Sequence, residues 1–359
     1  MPAPARNARS PGPCLAPLHA ARAAQMTATP IAGDDFRPSR LIAHPLLQAI
    51  LSTKGPRRRR WLRRGSRMEA VAQRHVLDCG DGVRLVGYHS RQPEGVAPRG
   101  LVILIHGWEG HQNSAYLYSM ACHVHAMGWN VFRLNLRDHG GTHELNEEPF
   151  HSARMDEVLG AVRGARTLDG TSGPLVMIGF SLGGNFALRV GLQGPPAGVT
   201  PALSIGISPA INPGATLHGI DSGPLLFRKY FLGKWRKTLA AKDAAWPGRY
   251  DFSPYAGLKS FVETTRRFVA DFTPYASAED YLAAYTLTPP MLMASPSPLA
   301  LFTAADDSVV PIADFAGLAA RGSVVRYQLT ARGGHCGFIE NLALDCWVEK
   351  QVAALLAPL

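Results

Sequence analysis

Between Leu175 and Gly184 the chain reads LVMIGFSLGG, an apolar strand-like run that ends on a glycine-framed serine, Gly179-Phe180-Ser181-Leu182-Gly183. The residues that follow, NFALRVGL, have helix-compatible composition. A strand that turns at once into a helix leaves the serine between them in strained backbone geometry. Such crowding is tolerable only if the positions two before and two after are small. Both are glycine here. The bare G-x-S-x-G pattern also describes an ordinary glycine-rich turn with a solvated serine, so its meaning depends on whether an acid and a base follow in comparable settings.

If this G-x-S-x-G is a nucleophile turn of the kind that joins a strand to a helix, its partners are expected on loops after later strands, in the chain order serine, acid, histidine. The run Pro298 to Thr303 has strand composition and is ended by Ala304-Ala305-Asp306-Asp307-Ser308-Val309-Val310-Pro311. The next such run, Val324 to Leu329, stops at Gly333-Gly334-His335-Cys336-Gly337-Phe338. Asp306 follows Ser181 by 125 residues and His335 follows Asp306 by 29, and the longer interval has room for an inserted lid. Ser181, Asp306 and His335 are therefore the candidate catalytic triad. Asp306 comes first after its strand and is the expected acid, whereas Asp307 is the alternative, expected to cap the following turn. For an oxyanion hole, the strand Leu101 to Ile105 runs into His106-Gly107-Trp108-Glu109-Gly110. The backbone amides of Trp108 and Leu182 are the expected donors, and glycines 107 and 110 let the main chain come close to a substrate. His106 is expected to fix this loop by hydrogen bonding and to take no part in the chemistry.

Elsewhere the pattern alternates strand and helix. AQRHVLD and VRLVGYHS, joined through Cys79-Gly80-Asp81-Gly82, form an expected hairpin. Then come strand 101–105, a helix near 115–127, strand 131–136, a helix near 153–168, the strand that carries Ser181, and strand 202–208. This implies a mostly parallel, doubly wound α/β sheet with an antiparallel N-terminal edge. From Pro209 to Pro296 no comparable strand appears. That segment is helix-prone and carries Phe227, Tyr230, Phe231, Trp235, Phe261, Phe268, Phe272, Tyr275, Tyr281 and Tyr285, which supply apolar surface for an acyl pocket. The expected organisation is a leader without structure over 1–35, a basic lead-in segment over 36–70, an α/β core over 71–208 and 297–359, and a helical lid insertion over 209–296. Residues 344–356 form a closing helix. Met26, followed at once by sequence of the body's character, is the expected true start.

These residues resemble the serine hydrolases of the α/β-hydrolase superfamily, and within it the YheT-like esterases. Four patterns carry the likeness: Asp35-Phe36-Arg37-Pro38 followed by His44-Pro45-Leu46-Leu47-Gln48, the loop His106 to Gly110, Asn135-Leu136-Arg137-Asp138-His139-Gly140-Gly141-Thr142, and Gly334-His335-Cys336-Gly337-Phe338. The match runs from about Phe36 to the C-terminus. It departs from the family pattern at Asp138, where many relatives have glycine, and at His44-Pro45, where they have asparagine-histidine. The resemblance implies an α/β-hydrolase fold and a serine esterase, and says little of the substrate.

Composition narrows the remaining classes. No run of 18 uncharged apolar residues is present, and 46% apolar content suits one domain with a substantial core. Five dispersed cysteines without a C-x-x-C pair argue against a disulfide framework or zinc site and for a reducing, cytoplasmic setting. His123 and His125 fall at i and i+2 of a helix, and His139, His143 and His151 lack a matching carboxylate pattern, so neither metal nor cofactor is expected. The net charge of +10 is local: residues 1–67 hold 13 of the 37 Lys/Arg but only 2 of the 27 Asp/Glu. Arg57-Arg58-Arg59-Arg60, with Lys54, Arg63, Arg64 and Arg67, is a surface for peripheral contact with anionic lipid or a solvated charge run, and nucleic acid is not an expected partner. The expected activity is hydrolysis of a small-molecule or lipid ester through an acyl-enzyme. An acyltransferase using the same intermediate, or a non-catalytic binding protein on the same fold, are the alternatives.

Overall fold

The structure, a computed structural model, describes residues 36–53, 56–63 and 67–359. The leader, with Met26 and the 1–35 expectation, and Lys54 and Arg64 of the basic run lie outside the described residues. In chain order the elements are α1 (Pro45–Thr53), α2 (Pro56–Arg63), α3 (Arg67–Ala70), β1 (Ala72–Asp78), β2 (Arg84–Ser90), β3 (Leu101–Ile105), α4 (Ala115–Ala126) and β4 (Asn130–Leu134). There follow α5 (Met155–Asp169), β5 (Leu175–Phe180), α6 (Leu182–Gln193) and β6 (Leu203–Ile207). Then come α7 (Pro213–Ser222), α8 (Leu225–Ala245), α9 (Phe261–Phe272), α10 (Ala278–Ala283) and α11 (Pro289–Met293). The chain closes with β7 (Leu299–Ala304), β8 (Val324–Thr330) and α12 (Trp347–Leu356).

One eight-stranded sheet runs in the order β1-β2-β4-β3-β5-β6-β7-β8. β1 pairs antiparallel with β2, and β2 with β4, while every other pairing is parallel. The hairpin forms because Gly80, Asp81 and Gly82 all adopt positive φ, which closes the tight turn between Cys79 and Val83. Strands β3 to β6 are buried throughout, as expected where helices cover both faces of a parallel sheet. Their side chains divide with a period of two. Val102, Leu104, Val176 and Ile178 join α4 and α12 in one core layer, whereas Leu101, Ile103, Ile105 and Met177 join α5 and α6 in the other.

Helices α7 to α11 lie between β6 and β7 and form the insertion. Side-chain caps delimit several of them: Asn212 accepts from the Ala215 amide at 3.1 Å, Ser260 from Glu263 at 3.1 Å and Ser277 from Asp280 at 3.0 Å. Asp221, from α7, receives the Ser260 hydroxyl and the Phe261 and Val262 amides, which ties α9 to α7.

Within the N-terminal basic run, Arg57 departs from the expected exposed surface. Arg57 is buried and ion-paired with Glu349 of α12, whose carboxylate also receives the Ser119 hydroxyl of α4. Arg60 pairs with Asp345 at 2.9 Å. Arg57 is therefore a structural cation that pins α2 to the body and is not part of a lipid-facing surface. Among the described residues no helix is long and apolar enough to cross a membrane.

Candidate active site

Ser181 sits between β5 and α6 with φ 54° and ψ −120°, a conformation that non-glycine residues rarely adopt. The flanking glycines are steric necessities. A Cβ on Gly179 would lie 1.9 Å from the Gly183 carbonyl oxygen, and one on Gly183 would lie 2.3 Å from the carbonyl oxygens of Ile105 and His106. The Ser181 amide donates to Ile207 of β6 at 2.9 Å, which fixes the elbow to the sheet.

His335 lies five residues beyond β8, and its Nε2 is 2.9 Å from Ser181 Oγ. Its Nδ1 lies 2.9 and 3.1 Å from the two carboxylate oxygens of Asp307. The acid beside the histidine is thus Asp307 and not Asp306. In the turn after β7 the adjacent carboxylates diverge, and Asp306 accepts the Gly334 amide at 2.8 Å. Asp307 also accepts the Val309 and Val310 amides at 2.8 and 3.0 Å, so it performs the capping expected of it as well. An Nδ1–H donated to a carboxylate leaves Nε2 free to accept the serine proton. Burial is the largest single influence and opposes the charged imidazolium, but Asp307 and Cys336 together outweigh it, and the His335 pKa is raised well above its ordinary value. Burial likewise pushes the Asp306 carboxyl up.

The β3 loop is brought against the elbow: a Cβ on Gly107 would lie 3.2 Å from the Ser181 Cβ. The Gly107 amide donates to Tyr116 Oη at 3.0 Å, and its carbonyl receives both the Gly110 amide at 2.9 Å and His106 Nδ1–H at 2.8 Å. His106 Nε2 in turn accepts the Leu136 amide at 3.2 Å. Its pKa falls well below the ordinary value because it is buried. His106 is accordingly a neutral loop brace. Trp108 and Leu182, whose amides were expected to bind the oxyanion, line the same cavity as Ser181 and His335.

That cavity has a volume of about 1110 Å³ and is roofed by the insertion. Of the ten aromatics singled out in the sequence, Phe272 and Tyr275 do not line it and the other eight do. Trp108 packs edge-on against Trp235 and Phe261, with centroids 5.5 and 5.1 Å apart. Glu109 is turned into the same region, and burial pushes its carboxyl up to about 7 against the opposing effects of Thr238 and Lys234.

Three further residues were not singled out for their roles. Gln48 of α1 is fully buried; its amide donates to the Ile42 and Ile339 carbonyls, both at 2.9 Å, and its oxygen accepts the Ile339 amide at 2.8 Å. The lead-in segment is thereby clasped to the histidine loop, where a Cβ on Gly337 would collide with Gln48. Ser208 Oγ, just past the end of β6, accepts the Cys336 amide at 3.1 Å and braces that loop. At Asp138, where the family resemblance leads to the expectation of glycine, φ is 59°, and the carboxylate pairs with buried Lys242 of α8 at 2.9 Å. A glycine-like backbone is retained, and the added charge is met by the insertion.

The profile of the alpha/beta hydrolase family matches residues 102–344, more than half of the chain. YheT of Escherichia coli strain K12, a protein named as a candidate esterase, is 28% identical over 328 residues, spanning 89% of this chain and 92% of that protein. The similarly named slr0264 of Synechocystis sp. is 25% identical over 288 residues, covering 74% and 77%. Among solved structures, the Pyrococcus furiosus esterase Pf2001 superposes with a TM-score of 0.52 at 14% identity, over 80% of this chain and 90% of that one. The chain belongs to the alpha/beta hydrolase family.

Proposed function

We propose that this protein hydrolyses carboxylic esters through an acyl-enzyme formed on Ser181. The observation that carries the reading is the continuous relay from Ser181 Oγ to His335 Nε2 at 2.9 Å and from His335 Nδ1 to Asp307 at 2.9 Å. His335 takes the hydroxyl proton as Ser181 attacks the ester carbonyl, and the Trp108 and Leu182 amides receive the negative charge that develops on the carbonyl oxygen. His335 then returns the proton to the departing alcohol, and in the second half-reaction it activates water against the acyl-enzyme. Asp307 holds the imidazole in the required tautomer and favours its protonated form.

The roof of aromatic side chains and the cavity's size support an ester with a substantial apolar acyl group, a lipid ester among the candidates. In this reading helices α7 to α11 act as the lid. With Arg57 committed to Glu349, exposed Arg59, which lines the cavity, and exposed Arg67 are the members of the basic run that support the reading of contact with an anionic lipid surface.

Replacing Ser181 with Ala is expected to abolish turnover of p-nitrophenyl esters and labelling by a fluorophosphonate probe. Activity equal to the wild type in Ser181→Ala would overturn the assignment of the nucleophile.

A further inference from the structure

We propose that Thr238 and Lys234 of α8 are positioning residues which, by clamping Glu109, hold the Trp108 amide where the oxyanion forms, so that the helical insertion is part of the catalytic scaffold and not only its cover. The proposal rests on the esterase reading above.

Glu109 is gripped at each of its polar groups. The Thr238 hydroxyl donates to its carboxylate at 2.6 Å, and Lys234 Nζ donates to its carbonyl oxygen at 2.7 Å. From the opposite side, its own amide donates to His139 Nε2 at 3.1 Å. His139 is fixed as an acceptor there because its Nδ1–H is given to the Arg137 carbonyl at 2.6 Å. Residue 109 has φ 55°, a left-handed conformation that a glutamate keeps only when its surroundings dictate it.

The grip comes from a single helical stripe. Phe231, Lys234, Trp235, Thr238 and Lys242 follow one another at intervals of one, three and four residues and lie on one face of α8. Trp235 meets the Trp108 indole edge-on, Phe231 lies 6.1 Å from it, and Lys242 reaches past the loop to Asp138. The stripe therefore touches the residue that carries the oxyanion amide, the residue after it and the turn beneath it. A hydrogen-bond donor aimed at a developing charge loses much of its effect when displaced by about 1 Å, and loss of one such donor altogether costs on the order of 100- to 1,000-fold in kcat. Removing one clamp while the others remain should cost less.

The test compares Thr238→Val, which keeps the side-chain shape and removes the hydroxyl, with Thr238→Ser, which restores it. Steady-state p-nitrophenyl ester hydrolysis and the rate of Ser181 phosphonylation by a fluorophosphonate are both measured. We expect kcat in Thr238→Val to fall about 10-fold with KM within twofold of wild type. Labelling should slow by a similar factor, and Thr238→Ser should recover most of both. If Thr238→Val does not fold, as judged by its melting transition, Lys234→Met reads the same clamp from the carbonyl side with the same expected split. Wild-type kcat and labelling in the folded variant, a loss confined to KM, or a serine variant as impaired as the valine one would each overturn the proposal while leaving the esterase reading intact. A wild-type protein that neither turns over esters nor labels at Ser181 would remove the esterase reading, and this inference with it.

Discussion

Asp306 and Asp307 are neighbours in sequence with separate tasks in space. Asp307 reaches the imidazole, whereas Asp306 holds the Gly334 amide and so steadies the loop on which that imidazole is mounted. Asp307→Asn should lower kcat for a p-nitrophenyl ester by about 10⁴-fold, because an amide at that place favours the wrong histidine tautomer. Asp306→Asn retains an oxygen able to accept from Gly334, and its kcat should stay within about 10-fold of wild type. Steady-state kinetics on the two variants decide the matter, and an equal loss in both would return the role of triad acid to either residue. Ser181 and His335 were legible in the sequence because the demands on their backbones show as glycine: the elbow closes only with Gly179 and Gly183, and Gly334 has φ 54° with no room for a Cβ beside Pro45. The choice between the aspartates was not legible. Both follow the same strand, and a turn's dihedral angles, which decide which carboxylate faces the histidine, leave no mark on two identical side chains.

At the scale of elements, strands β3 to β6 could be read from apolar runs because both faces of a parallel sheet are buried. Within the cationic run of α2, the burial of Arg57 could not be read, for the opposite reason. A sequence displays Arg57 to Arg60 side by side but hides the counter-charges on and just before α12, Glu349 and Asp345, which only the fold brings near. Burial makes the first of these pairs the consequential one. Truncating Arg57 to Met leaves the Glu349 carboxylate in the interior with the Ser119 hydroxyl as its remaining partner among those described above, a situation that typically costs about 3–5 kcal/mol. Urea unfolding should show a loss of that order for Arg57→Met. The Arg57→Met/Glu349→Leu double variant should be the milder of the two, since it leaves no uncompensated buried charge. A loss under about 1 kcal/mol in Arg57→Met is what a solvated surface pair would give, and it would contradict the burial of the Arg57–Glu349 pair. The insertion was legible as helical and aromatic-rich. Its grip on Glu109 was not, since the stripe on α8 has meaning only once the β3 loop lies against it.

Across the whole molecule, imidazoles buried in the neutral form set the response to acid. Burial lowers His139 to about 4 and His151 to about 3, and His106 well below its ordinary value. Each is unprotonated in the folded protein at pH values where the unfolded chain, with histidine near 6.5, takes up a proton. The unfolded state then binds more protons, so stability is full above about pH 6.5 and declines as pH falls towards those folded values, by up to about 1.4 kcal/mol per pH unit for each such group. Glu109 works in the other direction. Raised to about 7, it holds its proton in the folded state where the unfolded chain has lost it, so its contribution is full below about pH 4.5 and is lost as pH rises towards 7. His335, with its raised pKa, also contributes below 6.5 and loses that contribution as pH climbs through its folded value. Burial also lowers His75, His125 and His143 and raises Asp138, Glu157, Asp306 and Asp314. Between pH 6.5 and 4.5 His139 and His151 stay neutral in the folded protein throughout, and the free energy of unfolding should fall on acidification. His151 is the most informative of these to remove, because its pKa is lowered furthest among the two with a definite value, by burial and by the nearby Arg154, Arg137 and Arg189, and its ring packs on the edges of Tyr275 and Tyr281. In His151→Gln the decline between pH 6.5 and 4.5 should be shallower than in wild type by about 1.4 kcal/mol per pH unit, measured by urea unfolding at fixed ionic strength. Parallel pH profiles in the two proteins would mean that His151 titrates alike in the folded and unfolded states, and would exclude it as a source of the acid sensitivity.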